Sequence, residues 1–286
     1  MINRIKTIAK LLLPKYQKLI LEYPVELKPR FGYGKSPHSL ISDILESQRP
    51  SYEKLISEII GFQSVFSTFK DSAREKDENQ PAWNNGYLPG LDIVTLYAMI
   101  SHFKPVHYFE IGSGNSTKVA RKSISNNGLK TKIISIDPQP RANIDVLADE
   151  VIREPLENLN SIKSIVDRLQ ENDILFIDNS HRCLPNSDAT VCFLELLPYL
   201  KKGVIVHFHD IYLPFDYPQF MCDRFYSEQY VLAGFILANP EKYKPIFPAQ
   251  FISNDKQLTE LLNPFWSDPA FSGIEKHGGS FWIQIG

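Results

Sequence analysis

Four short runs constrain this chain most: "VHYFEI" (106–111), "KIISID" (132–137), "DILFID" (173–178) and "GVIVHFHDI" (203–211). Each is apolar over most of its length, rich in β-branched or aromatic residues, and set off from the next by helical or loop sequence. A strand with one wet face alternates polar and apolar residues, whereas a continuous apolar run is a strand covered on both faces. Strands of that kind alternating with helices predict a doubly wound, mostly parallel α/β sheet. Further on, "EQYVLAGFILAN" (228–239) reads as a helix, and "FPAQFI" (247–252) and the terminal "SFWIQIG" (280–286) as two more strands.

The first 80 residues have a different texture. They are polar and helical in pattern, interrupted by Pro14, Pro24, Pro29, Pro37 and Pro50, with Leu55, Ile56, Ile59, Ile60, Phe62 and Phe66 at helical spacing. The charged run "KDSAREKDENQ" (70–80) reads as an exposed boundary. The expected organisation is a helical N-terminal extension, 1–80, followed by the α/β domain, 81–286.

The chain has 286 residues and a formal net charge of −2, so no electrostatic footprint for nucleic acid is present. The first 35 residues do carry eight Lys/Arg against Glu22 and Glu26. Such a bias is the solvated face of a docked helix, or a contact with an acidic substrate, a membrane surface or a partner. Cys183, Cys192 and Cys222 are odd in number and widely spaced, which offers neither a disulfide framework nor a zinc pattern. No apolar run approaches the roughly 20 residues of a membrane span, and Lys residues and Pro14 interrupt the N-terminus too often for a signal peptide. The expectation is a cytoplasmic protein.

In a doubly wound sheet, ligands bind beyond the carboxyl ends of the strands where the strand order reverses. A strand ending at Glu110, the turn Gly112-Ser113-Gly114-Asn115-Ser116-Thr117 and a following helix fit that place. The glycines let backbone approach a ligand, and Ser116 or Thr117 can cap the helix. The next strand ends in Asp137, 23 residues after Gly114, where a carboxylate accepts hydrogen bonds from both hydroxyls of a ribose. Thr117 stands where a dinucleotide fingerprint has its third glycine, and no Lys-Ser/Thr phosphate loop exists. Glu110 repels phosphate but suits a cofactor bearing an amine and a sulfonium, which points to S-adenosylmethionine.

"FEIGSG", with Asp137 ending the next strand, resembles the first two motifs of class I S-adenosylmethionine-dependent methyltransferases. The segments "NNGYLPGLDIVTLYAMI", "IGSGNSTKVA", "ISIDPQPR", "FIDNSH", "HFHDIYLPFDYP", "EQYVLAGFIL" and "GGSFWIQ" extend the resemblance, from Asn84 to the C-terminus, to a bacterial subgroup of small-molecule methyltransferases. It implies a Rossmann-like, seven-stranded sheet and O-methylation of a small hydroxylated acceptor, a sugar of a glycan or a secondary metabolite. It places Gly112, Ser113, Gly114, Asn115 and Ser116 around the cofactor, with Glu110 near its amine, Asp137 on its ribose, and Asp178 with Asn179 at its border with the acceptor.

Two more strand ends bring polar side chains to the same edge. Asp178 ends one strand with His181 three residues on, while His207, His209 and Asp210 close the next. Methyl transfer to a hydroxyl needs the nucleophile aligned and its proton removed, by a histidine or by a cation that lowers the hydroxyl's pKa. Metal-dependent relatives such as the macrolide-sugar and cephamycin-type O-methyltransferases carry an Asp-x-x-His after one strand and a Glu-Asp pair at the end of the next. That likeness implies Asp178, His209 and Asp210 as metal donors and His181 as base. With His209 in place of the glutamate, the set suits Mn²⁺, Fe²⁺ or Zn²⁺ better than Mg²⁺. A metal-free site with His181 or His209 as base stands beside it. His207 reads as a structural strand residue.

Around this site, Tyr212–Pro218 is either a lid over the acceptor or a rigid turn, and Trp83–Asp92 either closes over the methionine end of the cofactor or marks a turn before a helix. Tyr230, Leu232, Phe235 and Ile236 read as core, and Phe265, Trp266 and Phe271 as acceptor wall or core. Two other classes stay open: an NAD-dependent oxidoreductase on the same fold, and a non-catalytic binding or scaffold protein with a vestigial cofactor site. The basic extension is of a kind that serves dimerisation, so a homodimer is a further expectation.

Overall fold

The computed structural model describes Leu13, Leu19 and residues 21–140, 142–160 and 162–286. Seven strands form one sheet: β1 (His107–Ile111), β2 (Lys132–Ile136), β3 (Glu150–Ile152), β4 (Ile174–Ile177), β5 (Ile205–Phe208), β6 (Tyr243–Pro248) and β7 (Phe281–Ile285). Their spatial order is 3-2-1-4-5-7-6. The first five are mutually parallel, and β7 runs antiparallel to both β5 and β6. The chain leaves β1 toward one edge, returns, and begins β4 on β1's other side. The order reverses there, so a crevice opens beyond the carboxyl ends of β1 and β4.

Residues alternate between two apolar layers with the strand period of two. Tyr108, Ile133, Ile174, Phe176 and Ile205 point into one layer. Phe109, Ile134, Leu175, Ile177, Val206 and Phe208 point into the other. Helices α2 (Arg49–Gly61), α3 (Gly90–Phe103), α4 (Asn115–Asn126) and α7 (Lys256–Trp266) cover the first; α1 (Ser39–Glu46), α5 (Ile162–Arg168) and α6 (Glu228–Ala238) cover the second. Residues before 80 contribute to both layers, through Tyr52, Ile56, Ile59 and Phe66 on one side and Ile41 and Leu45 on the other. Residues 22–38 contain no helix. Among the described residues no helix is long and apolar enough to cross a membrane.

Three local expectations are corrected. The strand expected at 247–252 is Tyr243–Pro248, and Ala249–Asn254 is already helical. Pro245 and Pro248 are tolerated because β6 is an edge strand, with a register shift between Pro245 and Phe247. Strand β3 carried no signal: it has three residues, none buried, at the opposite edge. Tyr230, read as core, is 50% exposed, although its neighbours Leu232 and Ile236 are buried. Phe265, Trp266 and Phe271 resolve as core, packed with Phe66 and Trp83.

Candidate functional site

At the end of β1 the backbone turns through Gly112, which sits at φ 79°, and a Cβ there would stand 1.8 Å from the Asp178 carbonyl oxygen at the end of β4. Only glycine allows the two strand ends to meet this closely. Gly114 is different: a Cβ there would meet nothing within 4 Å, so the turn has open space above it. The Asp137 carboxylate accepts the Ser113 N–H at 2.9 Å and the Gln139 N–H at 2.7 Å, so it holds the turn and is itself only half-buried. Ser113 Oγ lies 2.7 Å from Ser135 Oγ.

Glu110 is fully buried beneath the turn. It accepts the Tyr108 hydroxyl at 3.2 Å and a short hydrogen bond from Thr117, whose Oγ1 accepts the Gly114 N–H at 3.1 Å. Burial pushes the Glu110 carboxyl up to about 7, against the hydroxyl donors around it. Thr117 therefore does work that a third glycine could not, linking β1 to the start of α4. Asn115 reaches back to Asn85 Oδ1 at 3.3 Å, and that oxygen also accepts the N–H groups of Tyr87 and Leu88. The 83–92 segment is thus tied to the turn.

The ends of β4 and β5 bring together the other group. His181 Nε2 is 3.4 Å from Asp178 and 3.6 Å from Asp210, and His209 Nδ1 is 3.8 Å from Asp178 and 3.6 Å from Asp210. His181 and Asp210 both adopt left-handed backbone, φ 60° and 54°, uncommon for residues with a Cβ. Strain of this kind persists only where the surroundings enforce it. Asn179 sets the His181 backbone, its Oδ1 accepting the His181 N–H at 2.8 Å.

Two carboxylates that the sequence reading did not single out complete the cluster. Glu228, buried at the start of α6, lies 2.5 Å from His181 Nδ1. Asp92, buried in the first turn of α3, accepts the N–H groups of Gly279 and Ser280 at 2.8 and 2.9 Å and faces His209 Nε2 at 3.5 Å. Burial depresses the His181 imidazole, but Glu228, then Asp178 and Asp210, lift it to a net position above its ordinary value. For Glu228, burial raises the carboxyl and outweighs the lowering by His181. Burial also depresses His209, and Asp210, Asp178 and Asp92 more than offset this, raising it to about 10. His207 stays apart. It is stacked on Phe176 at 3.8 Å and pairs with the Ser280 hydroxyl at 2.8 Å, with its basicity strongly depressed by burial.

Residues 109–211, which span all of these strand ends, match a family described as a methyltransferase domain. No curated protein matches the chain. Similar solved structures are the SAH-bound Podospora anserina methyltransferase PaMTH1 (13% identity, 90% of this chain and 100% of that one, TM-score 0.38) and an O-methyltransferase from Bacillus cereus in complex with SAH (15%, 87% and 96%, TM-score 0.34). A putative methyltransferase from Thermobifida fusca YX is comparable (12%, 70% and 84%, TM-score 0.37).

The turn suits the S-adenosylmethionine that the sequence resemblance implies: it is open above Gly114, and Asp137 presents a half-exposed carboxylate beside it. A resident metal fits less well. Among the described residues, no group of three or more His, Cys, Asp or Glu is arranged to hold one. Each imidazole nitrogen facing the cluster looks at a carboxylate across 3.4–3.8 Å, and His181 Nδ1 is engaged by Glu228. No step below passes through a metal.

The segment Tyr212–Pro218, read as lid or rigid turn, is anchored on its outer side. Asp216 accepts the Arg30 N–H at 2.8 Å and donates its own N–H to the Phe31 carbonyl, while the His38 N–H donates to the Pro214 carbonyl. Tyr230 adds a short hydrogen bond to Asp216. A cavity of about 260 Å³ lies between this loop, Phe31 and α6. It is lined by none of Asp178, His181, His209 and Asp210.

Proposed function

We propose that this chain transfers a methyl group from S-adenosylmethionine to a hydroxyl of a small molecule, a sugar of a glycan or a secondary metabolite, with His181 as the base. The observation that carries the base assignment is the buried contact of 2.5 Å between His181 Nδ1 and Glu228, which leaves Nε2 turned toward Asp178 and Asp210. A carboxylate on one imidazole nitrogen fixes the ring and raises the basicity of the other.

The bound cofactor supplies an electrophilic methyl group on a sulfonium. Gly112, Ser113 and Gly114, with Asn115 and Ser116 beyond them, form its cradle, Glu110 holds that cradle from beneath, and Asp137 takes the ribose. Asp178 and Asn179 border the acceptor. His181 Nε2 accepts the acceptor's proton as the oxygen lone pair attacks; Glu228 stabilises the imidazolium that results. His209, held protonated near neutrality by Asp210, Asp178 and Asp92, serves to balance the carboxylates rather than to take a proton. The partner in this reading is a small-molecule acceptor, and the pairing of two copies of the chain belongs to the same proposal.

The test is calorimetry with S-adenosylhomocysteine followed by an acceptor screen with labelled S-adenosylmethionine. Binding by the wild type, lost in Asp137→Ala, and label transfer to a hydroxylated acceptor, lost in His181→Ala, are the expected results. A folded wild type that binds NAD and neither sulfur compound sinks the reading.

A further inference from the structure

Beside the catalytic cluster stand two cations without an assigned purpose. The Tyr226 ring stacks on His181, with centroids 4.6 Å apart and planes at 25°. Over the same ring lie the guanidinium carbons of Arg182 and Arg224, at 5.2 and 5.8 Å from its centroid. Arginine beside an aromatic ring is common, and on its own it decides nothing.

What these two lack is more telling. Four carboxylates crowd the neighbouring cluster, yet among the described residues no Asp or Glu oxygen comes within the 4.0 Å ion-pair distance of either guanidinium. Arg182 is oriented by backbone instead: its Nε donates to the Arg224 carbonyl at 2.7 Å and its Nη1 to the Ser180 carbonyl at 3.0 Å. That leaves Nη2 of a fixed fork without a partner among the described residues. Arg224 is exposed, and its side chain makes no hydrogen bond to a described residue. A guanidinium anchored by carbonyls, beside a second one left open, is a planar donor array suited to an oxyanion. One aromatic ring separates it from the base.

We propose that Arg182 and Arg224 form an anion subsite beside the acceptor position. This rests on the methyltransferase reading and narrows its substrate class: the hydroxyl to be methylated belongs to a small molecule that also carries a phosphate or a carboxylate. Tyr226 holds the two functions together, packing on the base with one set of contacts and supporting the cations with the other.

The experiment uses the full chain, with and without saturating S-adenosylhomocysteine, and titrates inorganic phosphate, glucuronate and the neutral methyl glucoside. The wild type is expected to bind at least one of the two anions and to hold it at least tenfold more tightly than Arg182→Gln/Arg224→Gln does, with S-adenosylhomocysteine binding unchanged. Preference for phosphate assigns a phosphorylated acceptor, and preference for glucuronate assigns a uronic acid. Arg224→Gln alone, at an exposed position, should already weaken the anion; Arg182→Lys, which keeps charge but loses the fork, should not restore it. Equal anion binding in wild type and double variant, or none in the wild type, overturns the subsite. So does weakened S-adenosylhomocysteine in the double variant, which would give the arginines to the cofactor's own carboxylate. Loss of the methyltransferase reading shows separately, as a wild type that never binds S-adenosylhomocysteine, and the anion titration without it still decides the subsite.

Discussion

On the proposed reading the site has two halves, and they are built on opposite principles. The cofactor half, Glu110 to Asp137, is a backbone structure: its side chains are spent on N–H groups of its own turn, and its one buried carboxylate is surrounded by hydroxyls. The acceptor half is a side-chain structure, in which carboxylates and imidazoles from four places in the chain face each other across 2.5–3.8 Å. The first is shaped by its backbone. The second stores its capacity in charge.

The sharpest test of that contrast is His181→Ala, which should lower kcat by about a thousandfold, in the range for removal of a general base, and leave S-adenosylhomocysteine affinity unchanged. Glu228→Gln should sit part-way, with a signature in pH. The His181 proton must leave before it can act as base, and its pKa lies above the ordinary 6.5 because Glu228, Asp178 and Asp210 outweigh burial. Activity should therefore rise with pH through a limb above 6.5, and losing the Glu228 charge should move that limb down. A pH profile unchanged in Glu228→Gln would remove Glu228 from the mechanism.

Gly112→Ala should break the comparison itself, because its Cβ meets the Asp178 carbonyl and so strikes both halves. We expect destabilisation of about 3 kcal/mol in thermal unfolding, with cofactor binding and turnover falling together. Asp137→Ala confines the damage to one half: a loss of about 2 kcal/mol in S-adenosylhomocysteine binding by calorimetry, with the acceptor-side pH limb intact. Smallest is Tyr230→Phe, which removes one hydrogen bond to Asp216 outside both halves. It should cost about 1 kcal/mol in unfolding and leave affinity for the cofactor product alone.

The same contrast governs what was legible in the sequence. The cofactor half is local: a strand, a glycine turn and an acid one strand later appear in order, so the residue spacing alone locates it. His181, His209 and Asp210 were visible because each sits just past an apolar strand. Glu228 and Asp92 were not. Each opens an apolar helix, where an acid in the first turn reads as favourable for the helix end and nothing more. Only the fold brings Glu228 to a histidine 47 positions earlier in the chain. The edges of the sheet were hardest, since exposed three-residue β3 has no hydrophobic pattern and proline-bearing β6 breaks the usual one. Residues before 80 showed helical spacing from 51 onward, but the sequence held no sign that they would share both apolar layers of the sheet.

The contact of Asp92 with Gly279 and Ser280 has a consequence for how the molecule is made. The cofactor turn is complete once the chain has reached the end of β4. The wall behind His209 is not, because β5 takes its second neighbour from the last strand and Asp92 waits for two amides next to it. A chain growing from its N-terminus therefore supplies Gly112, Asp137 and Asp178 well before the Gly279 and Ser280 amides that Asp92 accepts.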